Sequence, residues 1–310
     1  TGGSTNHTIH LIAMAAAAGI SLTWEDISDI SDHVPLLARV YPNGLADVNH
    51  FHAAGGLGFL IRELLDAGIL HEDVETIWGQ GLRPYAVEAK LAPDGTVCRD
   101  PAPETSGDEK VLVPFPKAFQ PTGGLMVLTG NMGHAIIKTS AVKPERRVVE
   151  APAVVFDSQE DLNAAFKAGE LDRDFVAILR FQGPKANGMP ELHRLTTVLG
   201  VLQDRGYKVA LVTDGRMSGA SGKVPAAIHV TPEAVEGGVI GRIRDGDVVR
   251  VDGESRTLHV LVDDAEMAAR PAPQPDLTAN GYGLGRELFA GFRALASRAD
   301  QGAGAFGQAA

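Results

Sequence analysis

A glycine-rich segment in the second half of the chain carries the residues best suited to chemistry. Residues 212–223 read VTDGRMSGASGK, an apolar run followed by three glycines, two serines and two cations. Glycines let backbone N–H groups approach a ligand, the hydroxyls of Ser218 and Ser221 can donate a hydrogen bond or act as a base, and Arg216 and Lys223 supply positive charge. The pattern predicts an anion-binding loop, although it fails the nucleotide P-loop pattern at two positions. A solvated turn is the alternative interpretation.

A second segment has the same order of strand, glycine-bearing loop and helix start. Residues 181–191 read FQGPKANGMPE, and a proline at the first helical position predicts a helix that begins at Pro190. Glu191 would then lie in the first helical turn, near the end of a strand where open α/β folds collect ligands, and could coordinate a hard cation through oxygen. The alternative is structural, because the helix dipole favours a glutamate there without any ligand.

The remaining candidate ligands are weaker. His7 and His10 are three residues apart and could share a helix face, but an apolar helix more often contains a hydrogen-bonded structural histidine. Cys98, the one cysteine, can form neither an intrachain disulfide nor a multi-thiolate metal site, and we interpret it as an incidental thiol.

Composition limits the class of protein. The 310 residues carry 28 Lys and Arg against 39 Asp and Glu, a net charge of −11, which lacks the positive field needed to bind nucleic acid or anionic lipid. No apolar run reaches the roughly 18 residues of a membrane span, and no signal peptide is recognisable, so we expect a cytoplasmic protein. Because the chain begins at Thr1 and in what looks like the middle of a domain, we expect that a preceding part of the polypeptide is missing.

Two domains are expected, with a boundary near residue 115. Residues 1–90 have helical periodicity, with helix ends at Gly19 and Gly68 and a start at Thr23, whereas residues 91–121 are rich in proline and resist regular structure. The second domain, residues 116–310, is β-rich with a terminal amphipathic helix, so the fold class is α/β. Its predicted strands are Leu125–Thr129, Phe175–Phe181, Val209–Thr213, Ile228–Val230, Val239–Ile243, Val248–Val251 and Leu258–Val262. Its first predicted helix spans 158–167.

Together these segments resemble a known enzyme family. Residues 1–6 (TGGSTN), 183–191 and 214–219 (DGRMSG) are similar, in order, to the dihydroxyacid dehydratase and 6-phosphogluconate dehydratase family. HTIHL at 7–11, YPNG at 41–44, NHF at 49–51 and SGKVPAAIH at 221–229 resemble its phosphogluconate branch. The resemblance implies a hydro-lyase that converts 6-phospho-D-gluconate into 2-dehydro-3-deoxy-6-phosphogluconate in the Entner–Doudoroff pathway.

The resemblance also implies the cofactors and the domain types. Family members hold an iron–sulfur cluster, expected to be 4Fe-4S, through cysteines that precede the position where this chain begins, so no residue of this chain is expected to ligate it and the chain alone is expected to be inactive. Residues 1–115 would complete the cluster-bearing α/β domain, and residues 116–310 would form a β-rich domain like a swivelling β/β/α barrel. Mg²⁺ is a second expected cofactor, and a homodimer the expected assembly.

Residue roles follow from the same resemblance. Ser218 matches the proposed catalytic base, a serine alkoxide, and Glu191 matches a magnesium ligand. For the phosphate of the substrate we choose Lys223 with Arg216 and the backbone of residues 219–222, on charge and loop chemistry. We also assign Ser4, Thr5 and Asn6 of the N-terminal turn, and Ser221, to substrate binding.

Two other functions stay open at this point, besides a purely structural role in oligomerisation. One keeps the mechanism but acts on a non-phosphorylated sugar acid or a 2,3-dihydroxy acid. The other is a module that binds a phosphorylated metabolite at residues 214–223 without catalysis.

Overall fold

The computed structural model describes residues 2–217 and 222–305. The described residues cluster into two compact units, one formed by Gly2 and Ser31–Gly123 and the other by Gly3–Ile30 and the chain from Gly124 onward. The predicted boundary at residue 115 lies within the first of these units. The division into domains 1–115 and 116–310 stays a prediction about the folded protein.

Four helices come first along the described residues, and strands and helices are mixed after them. The α-helices are α1 (His7–Ala17), α2 (Trp24–His33), α3 (Val48–Ala53), α4 (Gly56–Asp66), α5 (Gln159–Lys167), α6 (Pro184–Asn187), α7 (Leu195–Asp204), α8 (Asp264–Ala269) and α9 (Ala290–Leu295). The strands are β1 (Glu75–Thr76), β2 (Gly79–Gln80), β3 (Val87–Leu91), β4 (Val97–Pro101), β5 (Leu125–Gly130), β6 (Gly133–Lys138), β7 (Val148–Phe156), β8 (Phe175–Leu179), β9 (Val209–Thr213), β10 (Ala226–Thr231), β11 (Val248–Asp252) and β12 (Thr257–Val260). None of these described helices is long and apolar enough to cross a membrane.

Local signals explain several element ends. Ser158, predicted as the first residue of a helix, instead caps α5 by accepting a hydrogen bond from the Asp161 N–H at 3.1 Å. Gly19 and Gly68 follow α1 and α4 with φ of 71° and 70°, the left-handed conformation that ends a helix at low cost in glycine. The predicted helix ends are therefore confirmed.

The second unit is built around a closed barrel, and the β-rich prediction is confirmed as a mixed α/β fold. Its strand order is β10-β6-β5-β12-β11-β7-β8-β9. Strands β7, β8, β9 and β10 run parallel, with α5 and α7 in the first two crossovers, whereas β5–β6 and β11–β12 are antiparallel hairpins. The barrel therefore has a parallel half with long crossover loops and an antiparallel half with short turns.

Residues of alternating direction along each strand form two cores. Val176 and Ile178 of β8 belong to the cluster that fills the barrel, to which all eight strands contribute. Phe175, Ala177 and Leu179 belong to the cluster beneath α1, α5 and α7. The first unit has its own small core, made by Ala38, Ala54, Phe59, Val111 and Leu112. Because alternate residues of a strand point to opposite faces, the parallel half has one set in the barrel interior and the other packed under helices on its outer face.

Several predicted elements were wrong. Val239–Ile243 is not a strand, because Val239–Arg242 forms a 3₁₀-helix, and a short apolar run does not distinguish the two. The proline-rich stretch 91–121 contains β4, which pairs with β3 as a hairpin. Strands β6 and β7 were not predicted. The terminal helix is only six residues long, and its apolar side chains are exposed instead of facing a core.

Candidate functional site

A buried aspartate organises the loops at the carboxyl end of the parallel strands. Asp214 directly follows β9, and its carboxylate accepts backbone N–H bonds from Phe181 (3.1 Å), Gln182 (2.9 Å) and Ala234 (3.0 Å). The side chain is fully buried, and burial raises the pKa of Asp214 to about 6 against the effect of these three donors. Asp214 therefore ties the loop after β8 and the loop after β10 to the end of β9.

A second buried carboxylate fixes the short helix α6. Glu233 accepts the N–H groups of Lys185 (2.9 Å) and Ala186 (3.1 Å) at the start of α6. A Cβ on Gly183 would lie 2.3 Å from Glu233 Oε2, so only glycine allows this approach. Burial raises the pKa of Glu233 to about 7, and the charges of Asp214 and Glu236 add to the shift.

Glu191 lies in a β-bridge rather than in a helix. The predicted helix start at Pro190 was wrong, because α7 begins at Leu195, and Glu191 instead pairs in parallel with Arg216 just after β9. Arg216 Nη2 is 3.7 Å from Glu191 Oε2, and Arg216 Nε donates to the carbonyl of Met189 at 2.7 Å. Glu191 Oε1 is buried and has no hydrogen-bond partner among the described residues. The structure therefore brings Glu191 to the entry of the glycine-rich loop and leaves one carboxylate oxygen available.

The N-terminal turn contacts the same loop entry. Thr5 is buried, and its hydroxyl donates to the carbonyl of Met217 at 3.0 Å. Asn6 precedes α1 but makes no side-chain cap, and its Oδ1 is buried without a partner in the described part of the chain. Ser4 is half-buried, and its carbonyl accepts the His7 N–H at 3.0 Å. Two segments about 210 residues apart thus meet one residue before Ser218.

Of the predicted loop residues Ser218, Ser221 and Lys223, the structure describes Lys223. Ser218 and Ser221 lie outside the described residues, so the approach of Ser218 to Glu191 stays a prediction. Lys223 has an exposed side chain, and its carbonyl accepts Gln203 Nε2 at 3.0 Å.

His229 is a buried site residue that sequence reasoning missed. Thr8 Oγ1 donates its one proton to the Thr5 carbonyl at 2.7 Å, so its 3.3 Å contact with His229 Nδ1 requires Nδ1 to be the donor. His229 Nε2 is then an acceptor, buried and without a partner in the described structure. Burial lowers the pKa of His229 to about 3, and the charges of Arg216 and His10 add to the effect. The imidazole is therefore a neutral acceptor.

A cavity lined mainly by apolar residues, with three basic side chains among them, opens beside Arg216. Its volume is about 340 Å³, and its lining includes His10, Met189, Arg216 and Arg293. Arg293 comes from α9 and donates Nη1 to the carbonyl of Arg286 at 2.9 Å. Three basic side chains around one cavity fit an anionic ligand in a chain of net charge −11.

The described residues do not by themselves form a metal centre. They contain no group of three or more His, Cys, Asp or Glu side chains arranged to hold a metal ion. Cys98 is exposed on the hairpin strand β4, so an iron–sulfur cluster has no thiolate set here. Asn6 Oδ1 and Glu191 Oε1 are the hard oxygen ligands that the site offers without partners in the part of the chain described, fewer than Mg²⁺ requires.

Comparisons with known proteins identify the family. Residues 1–85 match the family model for the dihydroxy-acid/6-phosphogluconate dehydratase N-terminal region, and residues 110–303 match the model for the C-terminal region. Phosphogluconate dehydratase of Rhizobium meliloti is 67% identical over 302 residues, which is 97% of this chain and 50% of that protein. Those of Pseudomonas aeruginosa and Escherichia coli K12 are 62% and 59% identical, over 99% and 98% of this chain and 50% of each protein. The chain thus spans about half the length of these relatives, and it belongs to the dihydroxy-acid/6-phosphogluconate dehydratase family.

Proposed function

We propose that the complete polypeptide containing this chain dehydrates 6-phospho-D-gluconate to 2-dehydro-3-deoxy-6-phosphogluconate, as in the Entner–Doudoroff pathway. One observation carries the proposal. Thr5 and Glu191, from distant segments, both contact Arg216–Met217, immediately before Ser218. The names of relatives more than 50% identical give the substrate, and the three basic side chains of the cavity beside Arg216 are consistent with an anion.

In this proposal Ser218 removes the proton. Its alkoxide takes the proton from the carbon next to the carboxylate, the C–O bond of the adjacent carbon breaks, hydroxide leaves, and the resulting enol tautomerises to the 2-oxo acid. A serine hydroxyl is a weak base unless a cation stabilises its anion, and Arg216 lies two residues away. Ser4, Thr5 and Asn6 would orient the substrate, and Arg216, Ser221 and Lys223 would bind its phosphate.

In this proposal most ligands of the cofactors come from outside the residues described. When bound, an iron–sulfur cluster of the 4Fe-4S type would act as a Lewis acid, and its cysteines would come from outside this chain. Glu191 would contribute Oε1 to Mg²⁺, together with ligands from elsewhere. The fold proposal is that the second unit corresponds to a swivelling β/β/α barrel domain, in a cytoplasmic homodimeric enzyme.

The test is removal of the base. Ser218→Ala in the complete, cluster-loaded enzyme should lower kcat for 6-phosphogluconate by about 10³-fold, the usual contribution of a positioned base, with KM little changed. Ser21→Ala, at an exposed position, serves as the matched control and should retain wild-type rates. Iron content and product formation are measured for each protein. Wild-type enzyme that forms no 2-oxo acid, or a Ser218→Ala variant that retains full kcat, contradicts the proposal.

A further inference from the structure

A buried lysine lies against the N-terminal turn and is not used by the function proposed above. Lys138 is the last residue of β6 and is 8% exposed. Its Nζ donates to the carbonyl of Gly3 at 2.7 Å, directly before Ser4. The turn that contacts Met217 through Thr5 is therefore also the turn that holds this ammonium group.

The position of Lys138 is also set by the strand that follows the glycine-rich loop. Ile228 of β10 pairs with Ile136 of β6 in antiparallel register. Lys138 ends β6, and β10 is the strand that follows the glycine-rich loop. The strand after this loop thus pairs with the strand that ends at Lys138, and Met217 within the loop contacts the N-terminal turn.

The charge of Lys138 has no carboxylate partner in the part of the chain that the structure describes. It forms no ion pair with a carboxylate among the described residues, and the one cause that lowers the pKa of Lys138 to about 8 is burial. A buried ammonium normally pairs with a carboxylate, because desolvation of an unpaired charge is expensive. An uncompensated buried cation in a chain of net charge −11 fits a site that receives an anion from a ligand.

We infer that Lys138 Nζ binds the carboxylate of the sugar-acid substrate and stabilises the negative charge that develops on it during proton removal. This inference rests on the proposed function. One ammonium charge matches a carboxylate, whereas the proposed function already assigns the phosphate dianion to Arg216 and Lys223. The base removes the proton beside the carboxylate, and Met217, directly before Ser218, contacts the same N-terminal turn that holds Lys138. Lys138 keeps its protons throughout.

The experiment compares four variants of the complete, cluster-loaded enzyme. Lys138→Met removes the charge at similar size, and kcat/KM should fall by about 10²-fold or more, as when one donor to a developing oxyanion is lost. The loss should be equal for 6-phosphogluconate and gluconate, because both carry the carboxylate. Lys138→Arg should retain more activity and move the alkaline limb of the pH profile, near pH 8 in the wild type, to higher pH. Ethylammonium should restore activity to Lys138→Ala, and Lys143→Met, an exposed lysine five residues away, should match the wild type.

Stability and binding separate this role from a structural one. If Lys138 serves only the fold, Lys138→Met lowers the denaturation midpoint; if it awaits a ligand, the midpoint is unchanged or higher because a buried charge has been removed. Calorimetry with 6-phosphogluconate on the wild type and Lys138→Met tests the contact between Lys138 and the substrate carboxylate without requiring turnover. A wild type that binds this substrate but does not convert it would contradict the proposed function alone. The inference is overturned if both proteins bind 6-phosphogluconate equally or if neither binds it. It is also overturned if the loss of activity is confined to the phosphorylated substrate, or if ethylammonium does not restore activity.

Discussion

Two aspartates at the ends of barrel strands show how the parallel and antiparallel halves differ. Asp214 follows β9 and Asp252 ends β11, and both are almost completely buried. Both accept backbone N–H bonds, but Asp252 also accepts Nε and Nη2 of Arg250, at 3.2 and 2.7 Å. Burial would raise both pKa values; at Asp252 the bonds from Ser255 and Arg250 outweigh it and lower the pKa to about 2, whereas at Asp214 burial wins and the pKa rises to about 6.

This difference in pKa follows a difference in role between the antiparallel and parallel halves of the barrel. In the antiparallel half, a carboxylate with a cationic partner stabilises a turn that carries no candidate site residue. In the parallel half, Asp214 and Glu233 hold long loops through backbone donors alone, and the nearby cations remain directed to the cavity and to Glu191. Because Arg216 pairs with Glu191 and Lys185 pairs with Glu236, neither cation neutralises Asp214 or Glu233, and the loops depend on carboxylates that are costly to ionise.

The largest stability effect is expected at Asp214. Asp214→Ala leaves three buried N–H groups without an acceptor and should lower the free energy of unfolding by about 3 kcal/mol or more, at about 1–3 kcal/mol for each unsatisfied group. Urea unfolding followed by circular dichroism measures the loss. Asp204→Asn, exposed at the end of α7, is the control and should change stability by less than about 0.5 kcal/mol. Equal stability of Asp214→Ala and the control would show that the loops are held without this carboxylate.

Signals local in sequence predicted much of the scaffold. The run Val209–Thr213 predicted β9 with its observed ends, and the predicted helix 158–167 matches α5 to within one residue, because both signals depend on neighbouring residues. Residues 214–217 were also recognised as leaving a strand for a loop. Strand β6 was missed because its apolar run, Ala135–Ile137, is short.

Features that depend on distant partners could not be predicted. The bridge of Glu191 to Arg216 replaced the expected helical turn, since a proline and a glutamate indicate a helix start only when no strand edge competes for them. His229 lay in a predicted strand, but its burial against Thr8 depends on a contact across 221 residues. No spacing in the sequence indicates either contact.

An effect of intermediate size is expected at Glu233, in the dependence of the unfolding free energy on pH. Because the pKa of Glu233 rises from 4.5 to about 7, the folded state between these pH values holds a proton that the unfolded state has lost, so stability falls as pH rises through this window. Asp214 acts in the same sense between 3.8 and about 6. Glu233→Gln cannot titrate, so its unfolding free energy should decline by about 2 kcal/mol less than the wild type between pH 4.5 and 7.5.

The groups that face Glu233 define the control for that titration. Glu236 forms an ion pair with Lys185, and both lie beside Glu233. Glu236→Gln removes a neighbouring negative charge while leaving Glu233 titratable, so its stability should still decline across the window. Parallel pH profiles for the wild type and Glu233→Gln would mean that this carboxylate has an ordinary pKa in the folded protein.

The smallest effect on stability is expected at Asp252, and its dependence on pH is opposite to that of Glu233. A lowered pKa contributes stability above about pH 4 that is lost as pH falls towards 2, so Asp252→Asn should differ from the wild type near neutral pH and approach it in acid. The loss at pH 7 should be only about 1 kcal/mol, because the asparagine oxygen can keep the Glu254 and Ser255 N–H bonds and Arg250 still pairs with Glu150 at 3.2 Å. Substrate turnover should not change, since Asp252 belongs to the antiparallel half. A loss as large as that of Asp214→Ala, or one that grows in acid, would mean that ion pairing does not distinguish the scaffold carboxylate from the one that holds the site.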